Sequence, residues 1–132
     1  MNDALHSQFV DVGVRRLAVK DLGQGTPVVV LEMGMAGTSQ MFDHIAPKIA
    51  EWTRVIWYDR GGLGQSDPAP EPRTFRDRIE DLHTLLQRMK VSGPFVLAGH
   101  SMGGELVRLY AACYPQDVAA LLLIDAAHET QR

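Results

Sequence analysis

The chain has a single cysteine, Cys113, so no internal disulfide can hold the fold together. It has no run approaching the roughly 18 consecutive apolar residues of a membrane span. Its amino terminus carries Asp3, His6 and Gln8 where a secretory leader needs an apolar stretch. An excess of one charge is also missing. The formal net charge is −3, which offers no electrostatic reason to expect nucleic acid or an anionic membrane as a partner. Internal repeats are absent, and no His, Cys and Asp cluster has metal-ligand spacing, so neither a metal nor another cofactor is expected. These absences lead to the expectation of a cytoplasmic protein with Cys113 as a buried structural thiol.

What is present is ordinary globular composition, 45% hydrophobic and 22% charged over 132 residues, enough for one domain. Apolar runs alternate with helical patterns. Val14 to Lys20 reads as an early strand, followed by a turn at Gly23 to Gly25. Pro27 to Glu32 is a β-branched run suited to a strand buried on both faces, and a helix is expected from about Gln40 to Glu51. Arg54 to Tyr58 is the next strand, and a long loop then runs from Asp59 to Pro72, its alternating prolines excluding helix. Thr74 and Asp77 form a capping-box pattern ahead of an apolar stripe at Phe75, Ile79, Leu82, Leu85, Leu86 and Met89. After the break at Gly93-Pro94 come a strand at Phe95 to Ala98, a helix to about Cys113 and a last strand at Val118 to Ile124. The alternation predicts an α/β fold: a mostly parallel sheet with helices on both faces. Trp52 and Trp57 are read as core and helix-end packing, His83 as a helix-surface residue, and Arg73, Arg76 and Arg78 as a solvated helix face.

In such a sheet chemistry belongs at the carboxyl ends of the strands, where all three glycine-rich segments fall. The most informative is Gly99-His100-Ser101-Met102-Gly103, followed by Gly104, between a buried strand and a helix. A serine that attacks a carbonyl must stand clear of its own backbone. A sharp strand-to-helix turn achieves this, and flanking glycines remove the clash that turn would create. The helix amino terminus also favours the negative charge that develops during attack.

This strand–turn–helix setting, together with Leu31 to Gly37 and Tyr58-Asp59-Arg60-Gly61-Gly62-Leu63-Gly64-Gln65-Ser66, resembles the α/β-hydrolase superfamily from about Val14 to His128. The resemblance implies a serine hydrolase with a small-molecule acyl substrate, Ser101 as nucleophile, and the backbone N–H groups of Met35 and Met102 as oxyanion donors. The chain departs from the pattern at Met33-Gly34, where many relatives carry His-Gly and the histidine would organise the loop. The methionines Met33, Met35 and Met102 are expected to line an apolar acyl pocket.

In the resembled family the acid and then the histidine follow the serine. After Ser101 the acids are Asp117, Asp125 and Glu129, and the one histidine is His128. Asp125, at the carboxyl end of the last strand, is the candidate acid; the alternative is that it only caps the strand end. His128, three residues further, stands near the start of an expected lid. The resemblance therefore implies a truncated, amino-terminal part of the fold, with the cap, two strands and the base outside it. The exposed sheet edge would then invite self-association. Two alternatives stay open: a non-catalytic binding module, and a dinucleotide-binding domain. Gly99-x-Ser101-x-x-Gly104 with Asp125 downstream mimics the fingerprint of the latter, but Ser101 stands where a glycine is needed.

Overall fold

The apolar runs pair into one six-stranded sheet in a computed structural model that describes residues 5–126. Its strands are β1 (Gln8–Asp11), β2 (Arg16–Leu22), β3 (Val29–Glu32), β4 (Val55–Tyr58), β5 (Phe95–His100) and β6 (Val118–Ile124), in the order β1-β2-β4-β3-β5-β6. The four strands from β3 onward run parallel, while β1 and β2 are antiparallel to their neighbours. The sheet is thus the mostly parallel one expected, with an antiparallel edge.

Helices cover both faces. Helix α1 (Ala46–Ala50) packs on one side over Leu31, Val55, Trp57 and Ala98. On the other side α2 (Phe75–Arg88) and α3 (Met102–Cys113) enclose Val30, Ile56, Tyr58 and Leu97. Burial on both faces is why the inner strands are apolar at every position rather than at alternate ones. The capping box forms as read: the Asp77 amide donates to the Thr74 hydroxyl at 3.0 Å, and the Thr74 amide donates to the Asp77 carboxylate at 2.9 Å. Ile79, Leu82, Leu85 and Leu86 then face inward from α2.

Several expectations are corrected. Strand β1 was not anticipated, since Gln-Phe-Val-Asp carries no buried-strand pattern and forms only as an exposed edge on β2. The helix expected from Gln40 to Glu51 splits into a 3₁₀ turn at Ser39–Phe42 and the short α1. Pro47 lacks an N–H and fits only the first turn, so the α-helix starts at Ala46. Trp57 is core, but Trp52 lies beyond the end of α1 and is 88% exposed. His83 is not a free surface residue: its ring stacks on Tyr114 at 3.8 Å between centroids, with Nδ1 3.2 Å from the Tyr110 hydroxyl. Arg73 is no part of a solvated face either, because its guanidinium is buried against Asp81 at 2.8 Å. Cys113 is half-buried against the α2–α3 core.

Among the described residues β6 pairs only with β5 and leaves its other edge open. Its register sets Leu122 beside Ala98 on the α1 face and Leu121 beside Leu97 on the opposite face, and both leucines are exposed.

Two substitutions separate local from core contributions. Thr74→Ala is expected to lower unfolding free energy by about 1 kcal/mol through loss of the cap. Leu97→Ala, at a fully buried position, is expected to cost about 2–5 kcal/mol. Urea midpoints of the two variants check the ranking.

Candidate active site

Ser101 sits between β5 and α3 with φ 54° and ψ −121°, a left-handed conformation rarely adopted by a residue with a side chain. Holding it there costs on the order of 1–3 kcal/mol, which the surrounding packing must offset. Two bonds do so directly: the Ser101 amide donates to the Ile124 carbonyl at 3.2 Å, and the Gly104 amide donates to the Ser101 carbonyl at 2.9 Å. Ser101 occupies the N-cap of α3, yet its hydroxyl makes no capping bond. Serine at an N-cap normally spends its oxygen on the helix amides. Here Oγ is not spent on its own helix.

The glycines of the turn are dictated by close approach. A Cβ on Gly99 would overlap the carbonyl of Gly103, and one on Gly103 would strike the Glu32 carbonyl and lie 2.6 Å from that of Met33. The first turn of α3 is thereby pressed against the end of β3. A Cβ on Gly104 would strike Ala126, and one on Gly34 would stand 3.3 Å from the Cβ of Ser101. The loop after β3 therefore lies directly beside the serine.

That loop is held by a buried charge network. Arg60 donates through Nη1 to Glu32 Oε1 at 2.5 Å and to the Met33 carbonyl at 2.7 Å, and through Nη2 to the Gly34 carbonyl at 2.5 Å. The Tyr58 hydroxyl donates to Glu32 Oε2 at 2.5 Å. Arg60 thus fixes the backbone of the loop that follows β3. Burial pushes the Glu32 carboxyl above its ordinary value, against the pull of the Arg60 charge and the Tyr58 bond. The Tyr58 hydroxyl is pushed well up, first by burial and then by the neighbouring Glu32 charge. The adjacent Asp59 accepts from the Ser39 amide at 2.6 Å and the Gln65 amide at 3.0 Å, tying the two loops together.

Met35 and Met102 both line a cavity of about 300 Å³ bounded by the loops after β3 and β4 and by the start of α2. Among the described residues neither of their amides is used in a backbone hydrogen bond. Met33, by contrast, is fully buried in the α1-side core and lines no acyl pocket. His100 is half-buried on the strand end, and its Nδ1 is buried without a hydrogen-bond partner. Asp125 stands exposed just beyond β6 with φ 44°, next to the residue whose carbonyl holds the Ser101 amide. Among the described residues its carboxylate has no hydrogen-bond or ion-pair partner, and no histidine is hydrogen-bonded to Ser101. His128 and Glu129 lie outside the described residues. No group of His, Cys, Asp and Glu able to hold a metal occurs among the described residues. None of their helices is long and apolar enough to cross a membrane.

The family model of the α/β hydrolase fold matches residues 27–132, and the chain belongs to that family. This excludes the dinucleotide-binding alternative. Lipase 1 of Psychrobacter immobilis is 34% identical over 105 residues, covering 78% of this chain and 32% of the lipase. The 2-hydroxy-6-oxo-6-(2'-aminophenyl)hexa-2,4-dienoic acid hydrolase of Metapseudomonas resinovorans is 29% identical over 122 residues, covering 91% of this chain and 42% of that enzyme. Among solved structures, a serine hydrolase involved in carbazole degradation superimposes with a TM-score of 0.82 at 28% identity, covering 92% of this chain and 48% of that one. The chain spans less than half the length of these relatives.

The buried pair yields a pH prediction. Arg60→Met leaves Glu32 without its counter-charge, at a cost of about 3–5 kcal/mol near neutral pH. The Glu32 carboxyl then rises further above its ordinary 4.5, so the folded state holds a proton that the unfolded state releases. Stability of Arg60→Met should therefore fall as pH climbs from that value through the raised one. Adding Glu32→Gln should remove this slope in denaturant titrations run across the window.

Proposed function

We propose that the protein is a serine hydrolase acting on an ester or related acyl substrate. Ser101 Oγ attacks the carbonyl, and the amides of Met35 and Met102 receive the oxyanion. The observation that carries this reading is the strained elbow serine whose hydroxyl is not spent on its own helix. Asp125 is proposed as the acid that orients the base, on the strength of its position at the carboxyl end of β6. The proton acceptor is assigned to a histidine outside the described residues, such as His128. Three relatives named as hydrolases or lipase support the reaction class.

One observation favours a second reading. No histidine is hydrogen-bonded to Ser101 among the described residues, as expected of a hydrolase-like module that binds ligand without turnover. The open, leucine-bearing edge of β6 is also proposed as an association surface, because an unpaired apolar strand templates further pairing.

Fluorophosphonate labelling read by intact mass separates the readings. A single adduct that disappears in Ser101→Ala supports the hydrolase. Absence of any adduct on a folded chain supports the binding module. In sedimentation velocity the 132-residue chain is expected to associate with rising concentration, and Leu122→Lys should weaken that association.

A further inference from the structure

Three arginines line the cavity beside Met35 and Met102: Arg60, Arg73 and Arg78. They are not equivalent. Arg60 is committed to Glu32 and to the Met33 and Gly34 carbonyls. Arg73 is committed to Asp81 at 2.8 Å and to the Asp77 carbonyl at 3.2 Å. Arg78 donates one bond, from Nη1 to the Arg73 carbonyl at 3.1 Å, and among the described residues no carboxylate lies within ion-pair distance of it.

Arg78 is nonetheless fixed in place. It is half-buried, its backbone belongs to the first turns of the capped α2, and its guanidinium stands 5.8 Å from the ring centre of Phe75. Its charge is felt as far as the buried Glu32, whose carboxyl it helps to hold down. A guanidinium positioned by a carbonyl and an aromatic face, with donors still unspent, suits a fork-like contact to a carboxylate. The rest of the wall supplies the complement. Met35, Leu63, Phe75 and Met102 offer an apolar surface for an acyl chain. Glu71 also lines the cavity, but it accepts the Arg73 amide at 3.2 Å and makes no ion pair with Arg78.

Building on the hydrolytic reading above, we propose that the substrate carries a carboxylate on its acyl portion and that Arg78 selects it. Arg78 is then a specificity-determining residue. It takes no part in the attack by Ser101, and its contact anchors the far end of the acyl chain while the scissile carbonyl lies at the elbow.

The test is equilibrium binding, carried out in a Ser101→Ala background of the full-length protein so that no ester is cleaved. Monomethyl glutarate, with one carboxylate, and dimethyl glutarate, its neutral counterpart, are titrated by calorimetry. The carboxylate probe should bind at least about tenfold more tightly, the scale of one charge-assisted contact. Arg78→Gln should bring the two affinities within about a factor of two, and Arg78→Lys should restore part of the preference. Equal affinities, undetectable binding of the carboxylate probe, or a preference that survives Arg78→Gln would each overturn the inference. Circular dichroism of each variant guards against misfolding. The readout is independent of turnover. A carboxylate preference in a protein that resists fluorophosphonate keeps Arg78 as an anion site and removes the hydrolytic reading, whereas labelling without the preference removes only the role of Arg78.

Discussion

Glu32 ends β3, Arg60 follows β4, and the ion pair between them is buried to 2% and 4% side-chain exposure. Taking two such charges out of water is costly unless nearly every donor and acceptor is matched. Here the Tyr58 hydroxyl donates to the second carboxylate oxygen, and the terminal nitrogens of Arg60 also donate to the Met33 and Gly34 carbonyls, while its buried Nε has no hydrogen-bond partner among the described residues. The pair therefore does more than stabilise. It joins two neighbouring parallel strands at their carboxyl ends and sets the path of the loop beside Ser101. A loop built on Met33-Gly34 has no side chain of its own to do this, so its shape is borrowed from the next strand.

The same logic extends outward from that pair. Asp59 bonds the amides of Ser39 and Gln65, and Gly64 is required because a Cβ there would collide with the Asp59 carboxylate. Further along, Asp81 accepts both Arg15 and Arg73 at 2.8 Å, fastening the proline-rich loop and the start of α2 to the edge of the sheet. The cavity beside Ser101 is thus framed by loops whose backbones are each tied to a charged side chain from another element. Such tethering is what allows glycine-rich segments, conformationally permissive in isolation, to present a defined surface.

Much of this was legible in the residues. The β-branched runs at Val29–Glu32 and Val55–Tyr58, the Thr74 capping box, and the glycine-flanked serine between a strand and a helix all depend on local spacing. What failed to show is equally physical. β1 carries no strand pattern because an edge strand of four residues buries little. Pro47 was visible, yet its effect on α1 depended on where the preceding turn placed it. Arg73 and Arg76 look alike in sequence, and only the fold separates them, since Arg73 turns inward to Asp81 while Arg76 stays exposed beside Glu80. His83 read as surface because its partners Tyr110 and Tyr114 come from α3 and its end, far along the chain.

By itself the sequence determined the class of fold, the site of the elbow and the identity of its glycines. Each follows from periodicity or from sterics within a few residues, and these act wherever the segment lies. Tertiary structure decided which arginine organises the loop beside Ser101, which is tied to Asp81, and which makes no ion pair among the described residues. Charge pairing over tens of residues depends on how the strands are ordered in the sheet, and that order is written in no single stretch of the chain.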